Sequence, residues 1–166
     1  EDVARAGLAF AEMVARTPAA DAYVSACFSD PGVEIARGLT TKPVVGIQEA
    51  GIYAALAQVE FFGILALSQQ AIARHRRRMR AMGVLPRMAG ELSLPDVSAE
   101  ASGCGDIVFD VAREKILALS AMGAEAVVLG CSGMSPLRGR LETETGVRVV
   151  DPVFAAGALS LGSLLV

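Results

Sequence analysis

Cys27 and Cys131 each close an apolar run of the same design, "ADAYVSAC" from Ala20 and "AEAVVLGC" from Ala124. A small-residue and proline turn follows each cysteine, then a short helical pattern, a Val-Val pair, and Ala and Gly. The pairs Val44-Val45 and Val149-Val150 begin 17 and 18 residues beyond their cysteines, so Ala20 to Gly51 and Ala124 to Gly157 are two copies of one module. A short valine-rich run feeding a turn and a helix is the pattern of a parallel strand, and open α/β sheets bind ligands outside the carboxyl ends of such strands. If the copies face each other across a pseudo-two-fold axis, two thiols approach one ligand from opposite sides. A thiolate on one face of a carbon can accept its proton while a thiol on the other face donates one, which is racemisation.

A buried free cysteine is more often simply a small hydrophobe, and the matched placement of the two thiols is what raises the chemical reading above that one. Each also precedes a helical pattern, whose first N–H groups and dipole support an anion. Cys104, in a Ser/Gly loop with no strand before it, keeps the structural reading. Ser29 and Ser132 follow strand ends and could donate to a carbonyl or cap a helix. Gly133 N–H stands beside them, Phe28 and Met134 would supply apolar wall, and Ser68 follows a third strand. Asp30, Glu49 and Asp151 could touch a ligand, but capping is the more ordinary task, for Asp30 above all. His75 lies in "RHRRRMR" among five arginines and is expected on a solvated helix face. Without a glycine-rich loop that segment is a weak phosphate binder.

The elements that would position these residues follow in order. Asp2 to Arg16 is a helix stopped at Thr17-Pro18, and Ala22 to Phe28 is the first strand. A turn at Asp30-Pro31-Gly32 opens a helix from Gly32 to Arg37, Val44 to Ile47 is a strand, and Gln48 to Val59 is helical. Phe61 to Leu67 is a buried strand, and Ser68 caps a helix running to about Met82. Met88 to Leu94 is a weak strand, Pro95 to Gly105 a loop, and Ile107 to Met122 a helix stopped by Gly123. The second module and an apolar helix from Val153 complete the chain. The division expected is lobe 1 at 1–60, lobe 2 at 61–149, and a segment 150–166 returning to lobe 1.

A chain of 166 residues, 53% hydrophobic, suits an α/β protein of one domain or two small lobes. The net charge of −3 and single basic cluster argue against nucleic acid, and no apolar run reaches a membrane span. Three widely spaced cysteines form neither a disulfide framework nor a zinc-ligand pattern, so reduced thiols, a cytoplasmic location and no metal are expected. Lys42 and Lys115, the only lysines, sit at no strand end with a phosphate cradle, so pyridoxal phosphate and other cofactors are not expected.

Four segments in order, "ACFSDPG" (Ala26 to Gly32), "PVVGIQEA" (Pro43 to Ala50), "VLGCSGM" (Val128 to Met134) and "VVDPV" (Val149 to Val153), resemble the hydantoin racemase family of the cofactor-independent aspartate/glutamate racemase superfamily. The resemblance spans nearly the whole chain. It implies two Rossmann-like lobes with parallel sheets, an active site between them, and Cys27 and Cys131 as catalytic pair; a small-molecule substrate and a homo-oligomer are also expected. Family members begin with a strand and an Asn-rich turn, whereas this chain opens at Glu1 on a helical pattern, so an N-terminal piece carrying part of the substrate site is expected to be missing. Amino-acid racemases of the superfamily resemble one another in placing Asn-Thr after the first cysteine and Thr after the second. Phe28-Ser29 and Ser132-Gly133 stand here, which favours a hydantoin or allantoin over a free amino acid. An amino-acid racemase, a one-cysteine isomerase or decarboxylase, a ligand-binding module and a thiol redox switch remain as alternatives.

Overall fold

The computed structural model describes residues 2–95 and 97–166. In chain order its elements are α1 (Asp2–Arg16), β1 (Tyr23–Ser25), α2 (Val33–Arg37), β2 (Val44–Gly46), α3 (Ile47–Leu56), β3 (Phe62–Ala66) and α4 (Gln69–Ala81). They continue with β4 (Met88–Ser93), α5 (Asp106–Ala121), β5 (Ala126–Gly130), α6 (Arg138–Thr145), β6 (Arg148–Val150) and α7 (Pro152–Ser163), with short 3-10 turns at Leu85–Arg87 and Ser132–Leu137.

All residues of β3 and β5 are buried, so neither strand has a face to spare for water. Such strands need cover on both sides, which a parallel sheet with flanking helices provides. The larger sheet has the order β4-β3-β5-β6 and is parallel throughout. On one face Phe109, Ile116 and Leu119 of α5 and Leu141 of α6 pack on Leu65, Val127 and Leu129. On the other, Ile52 and Ala55 of α3, Met79 of α4 and Ala156 of α7 pack on Phe62, Ile64 and Val128. Strands β1 and β2 pair parallel as a second, smaller sheet, closed by Val14 of α1 and Val33 and Ala36 of α2. The architecture is α/β with parallel sheets, as the sequence leads one to expect.

The module is repeated in three dimensions. In each copy an arginine beyond the cysteine donates its Nε–H to the carbonyl of the first valine of the returning strand, Arg37 to Val44 and Arg138 to Val149, both at 3.1 Å. The helices that follow those strands, α3 and α7, pack against each other, and α7 also touches β1 and β2.

Three local expectations change. The strand expected over 22–28 is formed only by Tyr23–Ser25, because β2 offers three partners, and Ala26 to Asp30 become a turn held by Asp30 N–H donating to Cys27 O at 2.9 Å. Helix α2 starts at Val33, with Gly32 in the left-handed region (φ 75°) ahead of it, so Pro31 stands outside the helix. The weak strand over 88–94 pairs along the whole of β3, with one register shift between Phe62 and Gly63.

Asp151 caps α7: its Oδ1 accepts from Val153 N at 2.8 Å and from Phe154 N at 3.3 Å. Removing the cap leaves two N-terminal helix donors without their side-chain partner. Asp151→Ala is expected to lower the unfolding free energy by about 1 kcal/mol, seen in urea titration as a lower midpoint at constant slope; an unchanged midpoint would show that the cap contributes nothing.

Candidate active site

The carboxyl ends of β1, β3 and β5 open on one cavity of about 280 Å³. Cys27 and Cys131 both line it, together with Phe28, Ser29, Ser68 and Ser132. A larger surface depression of about 600 Å³ beside α6 and α7, lined by Arg138, Arg148 and Phe154, opens more widely to solvent and contains neither cysteine. Six of the eight residues singled out from the sequence therefore meet in one place. Gly133 and Met134 are not on the lining; Met134 is fully buried in the core beneath the turn, against the cluster of α5 and α6.

The two thiols differ in setting. Cys27 is exposed, in the turn after β1, while Cys131 directly follows β5 and is 9% exposed. All three cysteines are free, and Cys104 lies exposed off the cavity. The Cys131 carbonyl accepts from Met134 N at 3.1 Å, which starts the 3-10 turn and leaves the sulfur at the strand end. The hydroxyl of Ser102, fully buried in the loop before α5, lies 3.7 Å from Cys131 Sγ.

Asp30 anchors the Cys27 turn. Its carboxylate accepts from Gln48 N at 2.8 Å and Glu49 N at 3.0 Å, so it caps α3, eighteen residues on in the chain, rather than the neighbouring α2. Asp30 itself takes a left-handed backbone (φ 46°), and Gly46 is required opposite, since a Cβ there would run into the Asp30 carboxyl group. Glu49 pairs with Arg37 and, at 2.7 Å, with Arg78 of α4, while Arg78 also reaches Glu34. This network ties α2, α3 and α4 together below the cavity.

His75 corrects the sequence reading. It is 2% exposed rather than solvated: its Nδ1 lies 2.6 Å from Oε1 of the buried Glu91 on β4, and its ring meets Phe28 edge-on at 5.1 Å. The Gln48 amide donates to the His75 carbonyl at 3.2 Å, and His75 and Arg74 both line the cavity. Pairing through Nδ1 leaves Nε2 as the ring nitrogen free for other partners. One turn of α4 thus brings a histidine and an arginine to the two thiols. A helical pattern with polar residues at 75 and apolar Met79 four positions on was the signal for a buried face. Among the described residues no group of three or more His, Cys, Asp or Glu side chains is placed to hold a metal ion, and no helix is long and apolar enough to cross a membrane.

A sequence model of the family described as Asp/Glu/Hydantoin racemase matches residues 1–159. The chain belongs to this family. Among its relatives are the hydantoin racemases of Paenarthrobacter aurescens, 36% identical over 82% of this chain and 58% of that protein, and of Rhizobium meliloti, 37% identical over 82% of this chain and 57% of that protein. The chain spans less than two thirds of the length of either curated relative. An allantoin racemase structure from Klebsiella pneumoniae superposes with a TM-score of 0.89 at 30% identity, over 97% of this chain and 67% of that one. In this racemase-family chain the cavity therefore lies at strand ends of a fold shared along nearly the whole sequence.

Burial pushes the Asp30 carboxyl up to about 6 from an ordinary 3.8, against the pull of the two α3 amides. The folded chain thus holds this proton where the unfolded chain has lost it, so the contribution favours folding below about pH 4 and is lost as pH rises through about 6. The full loss is roughly 3 kcal/mol. Asp30→Asn keeps an acceptor at the cap without the charge, and the stability of wild type relative to this variant is expected to fall between pH 4 and 6.5 in denaturant titrations; a difference independent of pH would exclude Asp30 as the titrating group.

Proposed function

We propose that the protein of which this chain is part is a cofactor-independent racemase of 5-substituted hydantoins or allantoin, with Cys27 and Cys131 as its two bases. The observation that carries the reading is that both thiols, from equivalent positions of two repeated modules, line one cavity. A substrate carbon between them carries a hydrogen made acidic by the adjacent carbonyl. The thiolate on one face takes that proton, and the C–H electron pair moves onto the carbonyl oxygen as an enolate. The thiol on the other face returns its own proton to the carbon. The centre is inverted, and thiol and thiolate have exchanged roles.

Ser29, Ser68 and Ser132 carry hydroxyls on the cavity lining, and such donors stabilise an enolate oxygen or the ring carbonyls of a cyclic ureide. Phe28 and Ala71 supply apolar contact. The names of the curated relatives and of the superposing structure support hydantoin and allantoin as substrate class. Phe28-Ser29 and Ser132-Gly133 after the cysteines, in place of Asn-Thr and Thr, weigh against a free amino acid.

In a two-base site each thiolate serves one enantiomer. Cys27→Ser and Cys131→Ser in the full-length protein are therefore expected to lose racemisation at least a hundredfold, while each still exchanges the substrate proton with D2O for one, and opposite, enantiomer. Cys104→Ser is expected to match wild type. NMR of each pure enantiomer with each variant is the measurement, and near wild-type racemisation by either Cys27→Ser or Cys131→Ser would reduce that cysteine to a packing residue.

A further inference from the structure

The loop before α5 is fitted to the Cys131 turn more closely than packing of a covering loop demands. A Cβ on Gly133 would run into Ala99 O and Ser102 Oγ, and a Cβ on Gly103 would run into Gly133 O, so loop and turn meet backbone to backbone. Among the described residues, that approach delivers one polar side chain to the sulfur. Ser102 is fully buried, its hydroxyl lies 2.7 Å from Ala99 O and 3.7 Å from Cys131 Sγ, and Ala99 itself lines the cavity.

A serine hydroxyl has one hydrogen and two lone pairs, and its hydrogen turns freely about the C–O bond. With Cys131 as thiol, S–H donates to Ser102 Oγ and the hydroxyl donates to Ala99 O. With Cys131 as thiolate, the hydroxyl hydrogen turns to the sulfur. Ala99 O then still accepts the Ser102 backbone N–H, 3.4 Å away. Ser102 keeps its own proton in both arrangements, so nothing is transferred through it. Sulfur, hydroxyl and Ala99 O each keep a partner in either state, which is the condition for a buried sulfur to change protonation cheaply.

We propose that Ser102 is a positioning residue for Cys131, aiming its sulfur at the cavity and holding the thiolate by a hydrogen bond that the exposed Cys27 lacks among the described contacts. Resting on the two-base reading above, this divides the labour of the pair: Cys131 is the base whose charge the protein itself solvates, and Cys27 the base that meets water. Among the described residues, the other titratable or charged groups on the walls facing Cys131 are Cys27, Arg74 and His75, the last backed by Glu91.

The test needs no substrate. In a Cys27→Ser, Cys104→Ser background Cys131 is the one thiol of this chain, and its alkylation by iodoacetamide, located by peptide mass, is followed against pH. Ser102→Ala and Ser102→Gly are each expected to move the midpoint of that profile upward by about one pH unit, a roughly tenfold smaller thiolate fraction below the midpoint. Ser102→Thr keeps the hydroxyl and is expected to keep the midpoint. Ser98→Ala loosens the same loop without touching the sulfur, because Ser98 Oγ accepts from Ala101 N at 3.3 Å and hydrogen-bonds the Glu100 carboxylate, and is likewise expected to leave the midpoint in place. A serine that merely braces the loop would, on removal, speed alkylation at every pH around an unmoved midpoint, and that result overturns the proposal. So does an unchanged profile in whichever of the Ala and Gly variants folds. Whether Cys131 serves racemisation is decided separately by Cys131→Ser, so failure of one reading does not masquerade as failure of the other.

Discussion

Burial of β3 and β5 on both faces is the constraint from which the rest of the architecture follows. A strand whose every side chain is in the core can carry no chemistry along its length. Polar and reactive groups are therefore confined to what comes immediately after the strands, and Ser68 and Cys131 stand within two residues of the ends of β3 and β5. Double burial also demands helices on both sides, and the chain meets one of those demands twice with the same device: α3 and α7 follow the Val-Val strands and pack on each other over one face. Contact between them fixes how the two modules sit relative to one another. The cavity is the gap that remains where their strand ends converge.

Repetition of a module does not make its two halves alike. In the second copy the turn after the cysteine is covered by the loop before α5 and follows a five-residue strand in the middle of the larger sheet, so Cys131 is buried and Ser102 is brought against it. In the first copy a three-residue strand belongs to a two-stranded sheet, and the turn after it is held by Asp30 on the head of α3. One thiol is steadied by the sheet and a loop, the other by a buried carboxylate. The second arrangement is the costlier, since Asp30 gives up water for two amides and the neighbourhood of Arg78, and burial outweighs both. From α4, Arg78 places its Nε 4.0 Å from the Asp30 carboxylate while its other nitrogens join Glu34 and Glu49.

Much of this was legible in the sequence because it is local. Periodicity and punctuation located all six strands and the helices, with ends displaced by one to three residues. The cysteines, Ser29, Ser68 and Ser132 were found from their position after apolar runs. What was not legible depends on partners distant in the chain. His75 among five arginines reads as solvated until Glu91, sixteen residues on, is placed beneath it by the β3–β4 pairing. Asp30 reads as a cap for the helix beside it, but the left-handed turn at Asp30 and the room left by Gly46 turn its carboxylate to α3. Ser102, in a Ser/Gly loop without periodicity, carried no signal at all; only the packing of Gly133 against that loop singles it out. Met134 shows the reverse error, a residue near the thiol in sequence whose side chain turns to the core.

A shared fold leaves the reaction open, and what separates racemisation from one-sided proton delivery is the number of groups able to exchange a proton with the same carbon. A site with one such group can return a proton to only one face, whatever the rest of its lining. Two thiols at matched strand ends remove that restriction, provided that each can bear charge in turn. On the proposed two-base reading, the surroundings of the pair differ as such an alternation would require. Cys27, being exposed, can draw on solvent for the charged state, whereas Cys131, nearly enclosed, must find its partner in the protein. A buried sulfur facing only apolar atoms would resist becoming a thiolate, and the cycle would run from one face alone. The hydroxyl of Ser102 is the one protein group hydrogen-bonded to that sulfur among the described contacts, so on the proposed two-base reading the symmetry of the reaction would rest on an asymmetric detail of the loop before α5.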